Sequence, residues 1–194
     1  MTIVGYHYDT TVLLQKVTFL ALVGASWAVP SHVQHARAVC TPTAGGSSSI
    51  DDVPAILDSI SSCGNGGTIV IPEGSTYYLN SVLDLNDCSG CEIQVEGLLK
   101  FSSDTDYWNG KTAMLNAKNI DGLTIRSFTG SGVIDGNGQN SYDRFAEDSS
   151  YARPTLLYIT GGSDIEVSNL RQKNPPNVFI SVKGGTTNER FADL

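Results

Sequence analysis

The chain has 194 residues, of which 40% are hydrophobic, 16% are charged and 20 are glycine. This composition excludes an intrinsically disordered chain, which would carry more charge, and favours a β-rich fold with many turns over a helical bundle. The net charge of −8 argues against a nucleic-acid partner, because phosphate recognition needs a basic surface.

An apolar run near the N-terminus predicts a secretory leader. Residues 17–29 (VTFLALVGASWAV) follow Lys16 and are too few for a membrane span, which needs ~20 residues. Small-x-small cleavage patterns end at Ala28 and at Ala38, and the choice between them stays open. We therefore predict a leader over residues 1–38, a secreted extracellular protein, and no membrane association after the leader is removed.

Four cysteines lie beyond the predicted leader, at Cys40, Cys63, Cys88 and Cys91. An even number of cysteines in a secreted chain indicates disulfide bonds, and four cysteines allow three connectivities. The simplest of the three joins Cys40 to Cys63 and Cys88 to Cys91.

Metal and cofactor sites are not expected. All three histidines precede residue 36, so removal of the leader would leave none and would exclude Ser–His catalysis, Cys–His catalysis and histidine-ligated zinc. The C-x-x-C motif at residues 88–91 has neither a second such motif nor a histidine to complete a zinc site. We therefore predict no cofactor.

A short amphipathic helix is predicted over residues 51–62. Its first turn holds Asp51, Asp52 and Pro54, and the serines before them are available as the N-cap. An i, i+3, i+4, i+7 spacing produces one apolar face, formed by Val53, Ile56, Leu57 and Ile60. A single helix of this kind needs an apolar surface to cover.

Short strands dominate after Gly67. Turns rich in Gly, Asn, Asp and Ser separate the candidates, and no helices intervene as a Rossmann sheet requires. The candidate strands are 68–71, 77–79, 92–95, 98–101, 123–125, 133–134, 156–159, 165–167 and 178–182.

A weak repeat relates four segments, 89–97, 120–127, 162–169 and 187–194. Val95 and Ile125 are 30 residues apart, Val167 and Phe191 are 24 apart, and the longest gap holds a charged, strand-poor insert at 139–154. Periods of roughly 20–50 residues are typical of solenoids, although a Greek-key sandwich is an alternative. We predict an all-β solenoid whose first coil is capped by the helix, tethered by Cys40–Cys63.

Three segments carry further motifs: GGTIVIPEGSTYYL at 66–79, GSGVIDGNGQNSYD at 130–143 and GGSDIEVSNLRQKNPPNVFISV at 161–182. In this order they resemble the polygalacturonase-type pectin hydrolases, glycoside hydrolase family 28, over about residues 40–194. The resemblance implies a right-handed parallel β-helix, of which residues 39–194 would be the N-terminal part. It also implies a monomer that hydrolyses α-1,4-galacturonosyl linkages of pectic polysaccharide with inversion. The spacing and the long turns are similar to those of the exo-acting fungal branch, so the resemblance implies an exo-polygalacturonase of the galacturan 1,4-α-galacturonidase type.

The catalytic residues of that family are expected to be missing. In the family they lie on later coils, in an N-T-D segment followed by a D-D pair, a G-H-G histidine and an R-x-K pair. No such succession occurs here. We therefore predict no catalytic, substrate-binding or metal-ligating residue, an incomplete β-helix, and a chain that is inactive alone. The alternatives are a xylogalacturonan or rhamnogalacturonan hydrolase fragment, or a non-catalytic solenoid that binds acidic polysaccharide.

Four other groups of residues could suggest chemistry but have plainer interpretations. Asp135 could be an acid, but an Asx turn among glycines is favoured. Tyr107 and Trp108, with Asp104 and Asp106, could form a sugar platform, but a loop with one core-packing aromatic is favoured. Residues 173–176 (KNPP) could contact a polyanion, but a rigid corner is favoured. Gly136-x-Gly138 is not expected to bind nucleotides, because no helix pattern follows it.

Overall fold

The computed structural model describes residues 37–194. The predicted leader lies outside these residues except for Arg37 and Ala38. Within the described part, no helix is long and apolar enough to cross a membrane. The elements are β1 (Val39–Cys40), α1 (Val53–Cys63), β2 (Thr68–Ile71), β3 (Thr76–Leu79), β4 (Leu83–Asp84), β5 (Glu92–Val95), β6 (Leu98–Phe101), α2 (Thr105–Trp108), β7 (Ala113–Asp121), β8 (Thr124–Arg126), β9 (Val133–Asp135), α3 (Gln139–Glu147), β10 (Thr155–Ser168), β11 (Arg171–Lys173), β12 (Ile180–Lys183) and β13 (Thr187–Ala192).

Parallel strands of successive coils pair to form three faces. The larger sheet bends where Asn119 and Gly161 adopt left-handed backbone conformations, with φ of 54° and 67°. Its first face contains β4, β7, the first half of β10 and β12; its second face contains β1, β2, β5, β8, the second half of β10 and β13. The third face is the smaller sheet, in the order β11-β9-β6-β3. The predicted parallel solenoid is therefore confirmed.

One inward-facing position repeats through every coil of the second face. Its members pair directly from strand to strand and are Cys40, Ile69, Ile93, Ile125, Val167 and Phe191. The four predicted repeat segments stack on one another, but Ile93, and not Val95, pairs with Ile125. Side chains alternate with a period of two, so a slip of two residues keeps the same side in the core and the sequence cannot detect it.

Most predicted strands are present, and the differences have physical causes. The candidates 156–159 and 165–167 are one strand, β10, and the candidate 178–182 begins only at Ile180. Sequence patterning misses β7, because Asn116, Lys118 and Asn119 interrupt its apolar residues. Pairing with β4 and β10 on its two sides holds this segment extended.

Helix α1 covers the first coil as predicted, and its apolar face is buried apart from the half-buried Leu57. The prediction of a serine N-cap is wrong. The Asp51 carboxylate accepts a hydrogen bond from the Val53 backbone N–H at 3.2 Å. The buried Asp52 carboxylate accepts from the backbone N–H groups of Gly45 and Tyr78, at 2.6 and 2.7 Å. These two aspartates therefore join the helix start to the lead-in segment and to β3.

The insert at 139–154 contains a helix, so the expectation that no helix follows Gly138 is wrong. Helix α3 buries only Ser141, and it is so polar overall that its few apolar residues did not mark it as a helix in the sequence. Gly138 lies against the next coil: a Cβ there would come within 2.5 Å of the Cα of Pro176. The glycines of this motif thus serve close packing between coils.

Both disulfides have the simplest predicted connectivity. Cys40 and Cys63 are bonded, with their Cα atoms 6.1 Å apart, and they join β1 to the end of α1. Cys88 and Cys91 are bonded, with Cα atoms 5.3 Å apart, and both are buried. Within the described residues no cysteine is free.

The bend in β10 generates a stability prediction. Gly162 has a φ of 85°, and a Cβ there would lie 2.0 Å from the Ile120 carbonyl oxygen. Gly162→Ala should lower the free energy of unfolding by about 3 kcal/mol, because backbone strain and a backbone clash add. Denaturant unfolding measures this loss.

Gly110→Ala is the matched control, because Gly110 has a φ of 76° but no atom within 4 Å of the added Cβ. It should cost only about 1 kcal/mol, the strain alone. Equal losses for the two variants would contradict the close contact between coils at Gly162.

Candidate functional site

A polar groove of about 500 Å³ lies on the outside of the first face. Its lining residues are Val82, Lys111, Thr112, Ala113, Asn116, Lys118, Tyr158 and Thr160. They come from the segment before β4, from the start of β7 and the turn before it, and from β10. The groove therefore runs across successive coils.

Strand alternation determines which side chains face this groove. The inward column of the first face consists of Leu83, Leu115, Leu157 and Ile180, which pair in register. Neighbouring residues therefore point outward in two rows. The first row is Asp84, Asn116, Tyr158 and Ser181, and the second is Lys118, Thr160 and Lys183.

Positive charge is concentrated on this face of an acidic protein. Lys118 and Lys183 flank Thr160 on the two neighbouring strands, which places their Cα atoms roughly 10 Å apart. The Lys111 ammonium lies over the Tyr107 ring, 5.0 Å from its centroid. Within residues 37–194, none of these three lysines belongs to an ion pair. Lys111 and Lys118 line the groove and Lys183 lies beside it on the same face, so this surface offers cations to an anionic ligand.

Helix α2 forms the edge of the groove and is not a sugar platform. The Asp104 carboxylate caps it by accepting from the backbone N–H groups of Asp106 and Tyr107, at 3.0 and 3.1 Å. Trp108 is fully buried, so the favoured interpretation of a core-packing aromatic is confirmed. The Tyr107 hydroxyl accepts from the Val82 backbone N–H at 3.1 Å, which ties the helix to the groove wall.

Asp135 lies on the third face, away from the groove, in the predicted Asx turn. Its carboxylate accepts from the Asn137 backbone N–H at 2.9 Å and the Asn174 side chain at 3.0 Å. Lys173 lies 3.1 Å from its second oxygen. Burial favours a higher pKa for Asp135, but these hydrogen bonds and the ammonium outweigh it and lower the pKa. A general acid needs a raised pKa, so Asp135 is a structural residue. Of residues 173–176, Lys173 ends β11 and the other three lie in the corner that follows, where Asn174 has a φ of 49°.

Glu96 is a buried carboxylate that sequence reasoning missed. It accepts hydrogen bonds from Ser127, Phe128, Thr129 and Gln94, the shortest at 2.5 Å from the Thr129 hydroxyl. Burial favours a higher pKa, but the hydrogen bonds dominate and lower the pKa of Glu96 from 4.5 to about 2. The carboxylate therefore stays ionised and organises the turn after β8.

Two pairs of residues match parts of the family's catalytic motifs in sequence, but they lie elsewhere in the fold. Asp51 and Asp52 form a D-D pair before α1, where their carboxylates bind backbone N–H groups. Arg171 and Lys173 form an R-x-K pair within β11 on the third face. Neither pair lines the groove. Among residues 37–194, no group of three or more His, Cys, Asp or Glu side chains could hold a metal ion.

The sequence pattern of the glycosyl hydrolases family 28 matches residues 63–191. The chain belongs to this family. It is 78% identical over 181 residues to a probable endo-xylogalacturonan hydrolase A of Emericella nidulans, covering 92% of this chain and 45% of that protein. It is 76% identical to the crystal structure of an endo-xylogalacturonan hydrolase from Aspergillus tubingensis, with a TM-score of 0.80 over 81% of this chain and 42% of the other. The chain thus spans about half the length of the curated relatives it matches.

A family 28 exopolygalacturonase from Yersinia enterocolitica shares the fold alone, at 16% identity and a TM-score of 0.60 over 80% of this chain and 38% of the other. The predicted right-handed parallel β-helix is confirmed. The refinement towards an exo-acting polygalacturonase has no support, because the relatives of high identity are named endo-xylogalacturonan hydrolases. Its basis was the spacing of the motifs and the length of the turns, and both vary between coils.

Sequence reasoning named no substrate-binding residue, and that stays a prediction. The groove residues nevertheless offer candidates. Lys118 and Lys183 could have been found from one signal, a lysine just before a turn in two coils that are separated by one other coil. That signal becomes visible only once β7 is recognised as a strand, and the polar residues of β7 concealed it.

The Glu96 network generates a pH-dependent prediction. Glu96→Gln should lower the free energy of unfolding by about 2 kcal/mol at pH 6, because the ionised carboxylate binds several donors. A lowered pKa stabilises the fold above pH 4.5, and this contribution disappears as the pH falls to about 2. The difference between the two proteins should therefore narrow from pH 4.5 downward in denaturant titrations.

Glu147→Gln is the control, because Glu147 is exposed at the end of α3. It should change stability little at any pH. A difference for Glu96→Gln that stays constant between pH 6 and pH 2 would contradict the role of the ionised carboxylate.

Proposed function

We propose that this chain forms the N-terminal coils of a secreted pectic glycoside hydrolase acting on xylogalacturonan. The observation that carries the proposal is the lysine-lined groove on the first face. Galacturonan bears one carboxylate per sugar, and ammonium groups are suitable partners for a series of carboxylates. The names of the highly identical family 28 relatives support xylogalacturonan as the substrate class.

In this proposal the chain binds and orients the polymer and does not break it. Inverting hydrolysis requires two carboxyl groups about 6.5–9.5 Å apart, one as acid and one as base. The residues that line the groove include no Asp or Glu. Lys118 and Lys183 would bind sugar carboxylates, and Asn116, Tyr158 and Thr160 would hydrogen-bond hydroxyl groups. Binding at such outer subsites helps to position the scissile linkage elsewhere.

We further propose that the protein acts outside the cell as a monomer. The two disulfides support an oxidising compartment. Non-catalytic binding of acidic polysaccharide is the second candidate function, and the groove without carboxylates favours it for the chain by itself. The two functions differ in whether the bound polymer is cut.

The lysines provide the binding test. The double variant Lys118→Met/Lys183→Met should bind oligogalacturonate about tenfold more weakly in calorimetry, because two charge-assisted contacts are lost. Added salt should weaken the binding of the unmodified chain and affect the variant less, since screening acts on these ion pairs.

Lys100→Met is the matched control, because Lys100 is also outside any ion pair of the described residues but lies on the third face. It should leave the affinity unchanged. An equal loss for Lys100→Met, or no loss for the double variant, would refute the groove as the binding site.

The second test concerns catalysis by the chain itself. Incubation with polygalacturonate or with xylogalacturonan should release no reducing ends, because the groove contains no acid–base pair. A reducing-sugar assay measures this, with polymer in buffer as the blank. Release above the blank would disprove the proposal that this chain only binds.

A further inference from the structure

Helix α3 presents two aromatic rings to solvent, three residues apart on one side of an otherwise polar helix. Tyr142 is 43% exposed and Phe145 is 38% exposed. Adjacent exposed apolar side chains, unlike single ones, are typical of surfaces that contact a ligand or partner. The rings are therefore a candidate contact surface.

The two rings are fixed in place. The Arg153 guanidinium lies over both, 4.5 Å from the Tyr142 centroid and 4.3 Å from the Phe145 centroid. The Tyr142 hydroxyl also donates to the Asn177 carbonyl oxygen at 2.8 Å. A surface whose side chains are already ordered loses little conformational entropy when a ligand binds.

Tyr142 and Phe145 lie along the edge of the first face at which its strands begin. Arg153 precedes the first residue of β10 by two positions, and Asn177 precedes the start of β12 by three. On the other side, the Ala152 carbonyl oxygen accepts from the Gly110 backbone N–H at 3.1 Å, one residue before Lys111 of the groove. The insert thus lies beside the groove, next to the segment that carries Lys111.

The attachment of α3 does not require the exposed parts of these rings. Arg144 binds the Thr105 hydroxyl at 3.0 Å and also contacts the Asp106 carboxylate, which fastens the helix to α2. Ser141 and the buried Tyr151 hydroxyl lie 3.2 Å apart beneath it. The outer ring surfaces therefore remain available to a ligand.

We infer that Tyr142 and Phe145 bind the neutral sugar branch of a substituted galacturonan whose acidic backbone lies in the adjacent lysine groove. The inference rests on the proposed function and specifies how a branched polymer would be preferred. Aromatic rings stack on the C–H faces of sugars, and an uncharged pentose has no carboxylate to pair with lysine. A cationic groove beside an aromatic wall matches an acidic backbone with neutral branches.

The test compares two ligands by calorimetry, an unbranched oligogalacturonate and a xylosylated oligogalacturonate of the same backbone length. The double variant Tyr142→Leu/Phe145→Leu keeps apolar side chains but removes the rings. It should bind the xylosylated ligand about tenfold more weakly and the unbranched ligand as the unmodified chain does. The single variant Tyr142→Phe keeps both rings, so it should keep the preference and show that the Asn177 hydrogen bond is not responsible.

Phe128→Ala is the matched control. Phe128 is 58% exposed and lies under the Arg126 guanidinium at 4.3 Å, but it follows β8 on the second face. It should change neither affinity. An unchanged preference in the Leu double variant would overturn the inference while leaving the proposed function intact. Absence of binding to both ligands by the unmodified chain would overturn both proposals.

Discussion

The structure depends on one constraint, the preservation of a single strand register through coils of different length. Ile69, Ile93, Ile125, Val167 and Phe191 pair in succession although the intervals between them are 24, 32, 42 and 24 residues. The backbone N–H and C=O groups of each strand find hydrogen-bond partners only when the strands of successive coils stay in register. The inward side chains of these strands must also stack in one column to fill the core. Additional residues are therefore excluded from the coil and form α2 and α3 outside it. The three faces stay regular while the loops beside them vary.

The same register determines the corner between the first and second faces. Each coil enters the second face through a residue in the left-handed region, and backbone hydrogen bonds link these corners in a ladder. Glycine occupies the corner in three coils, and Asp or Asn occupies it in the next two, at Gly66, Gly90, Gly122, Asp164 and Asn188. Asn and Asp tolerate this conformation because their side chains can hydrogen-bond locally, and Asn188 donates to Asp164 here. Polar corner residues therefore have a backbone role before any chemical one.

These constraints explain how far the sequence alone could predict the molecule. The apolar face of α1, the strands β2, β5 and β6, and the stacking of the repeat follow from local periodicity and were predicted. The strand β7 and the helix α3 were not, because β7 is held extended by its neighbours and α3 is polar around most of its surface. The groove was missed for the same reason, since its lysines become neighbours only through the pairing of β7, β10 and β12. A site formed by residues from several coils has no local sequence signature.

The distribution of ion pairs reconciles the acidic composition of the chain with the proposed binding of an acidic polymer. Three acidic side chains are paired with cations away from the groove, in Glu92–Arg126, Asp135–Lys173 and Glu166–Arg190, and a fourth, Asp106, is paired with Arg144 at the groove edge. The lysines of the first face have no such partners among the described residues, so their positive charge near the groove is not neutralised by an ion pair. Exposed charges are screened beyond about 10 Å at moderate salt, so a ligand in the groove experiences these lysines more than the net charge of −8. In the proposed function, local charge placement, and not overall composition, therefore makes an anionic polymer a suitable ligand for this surface.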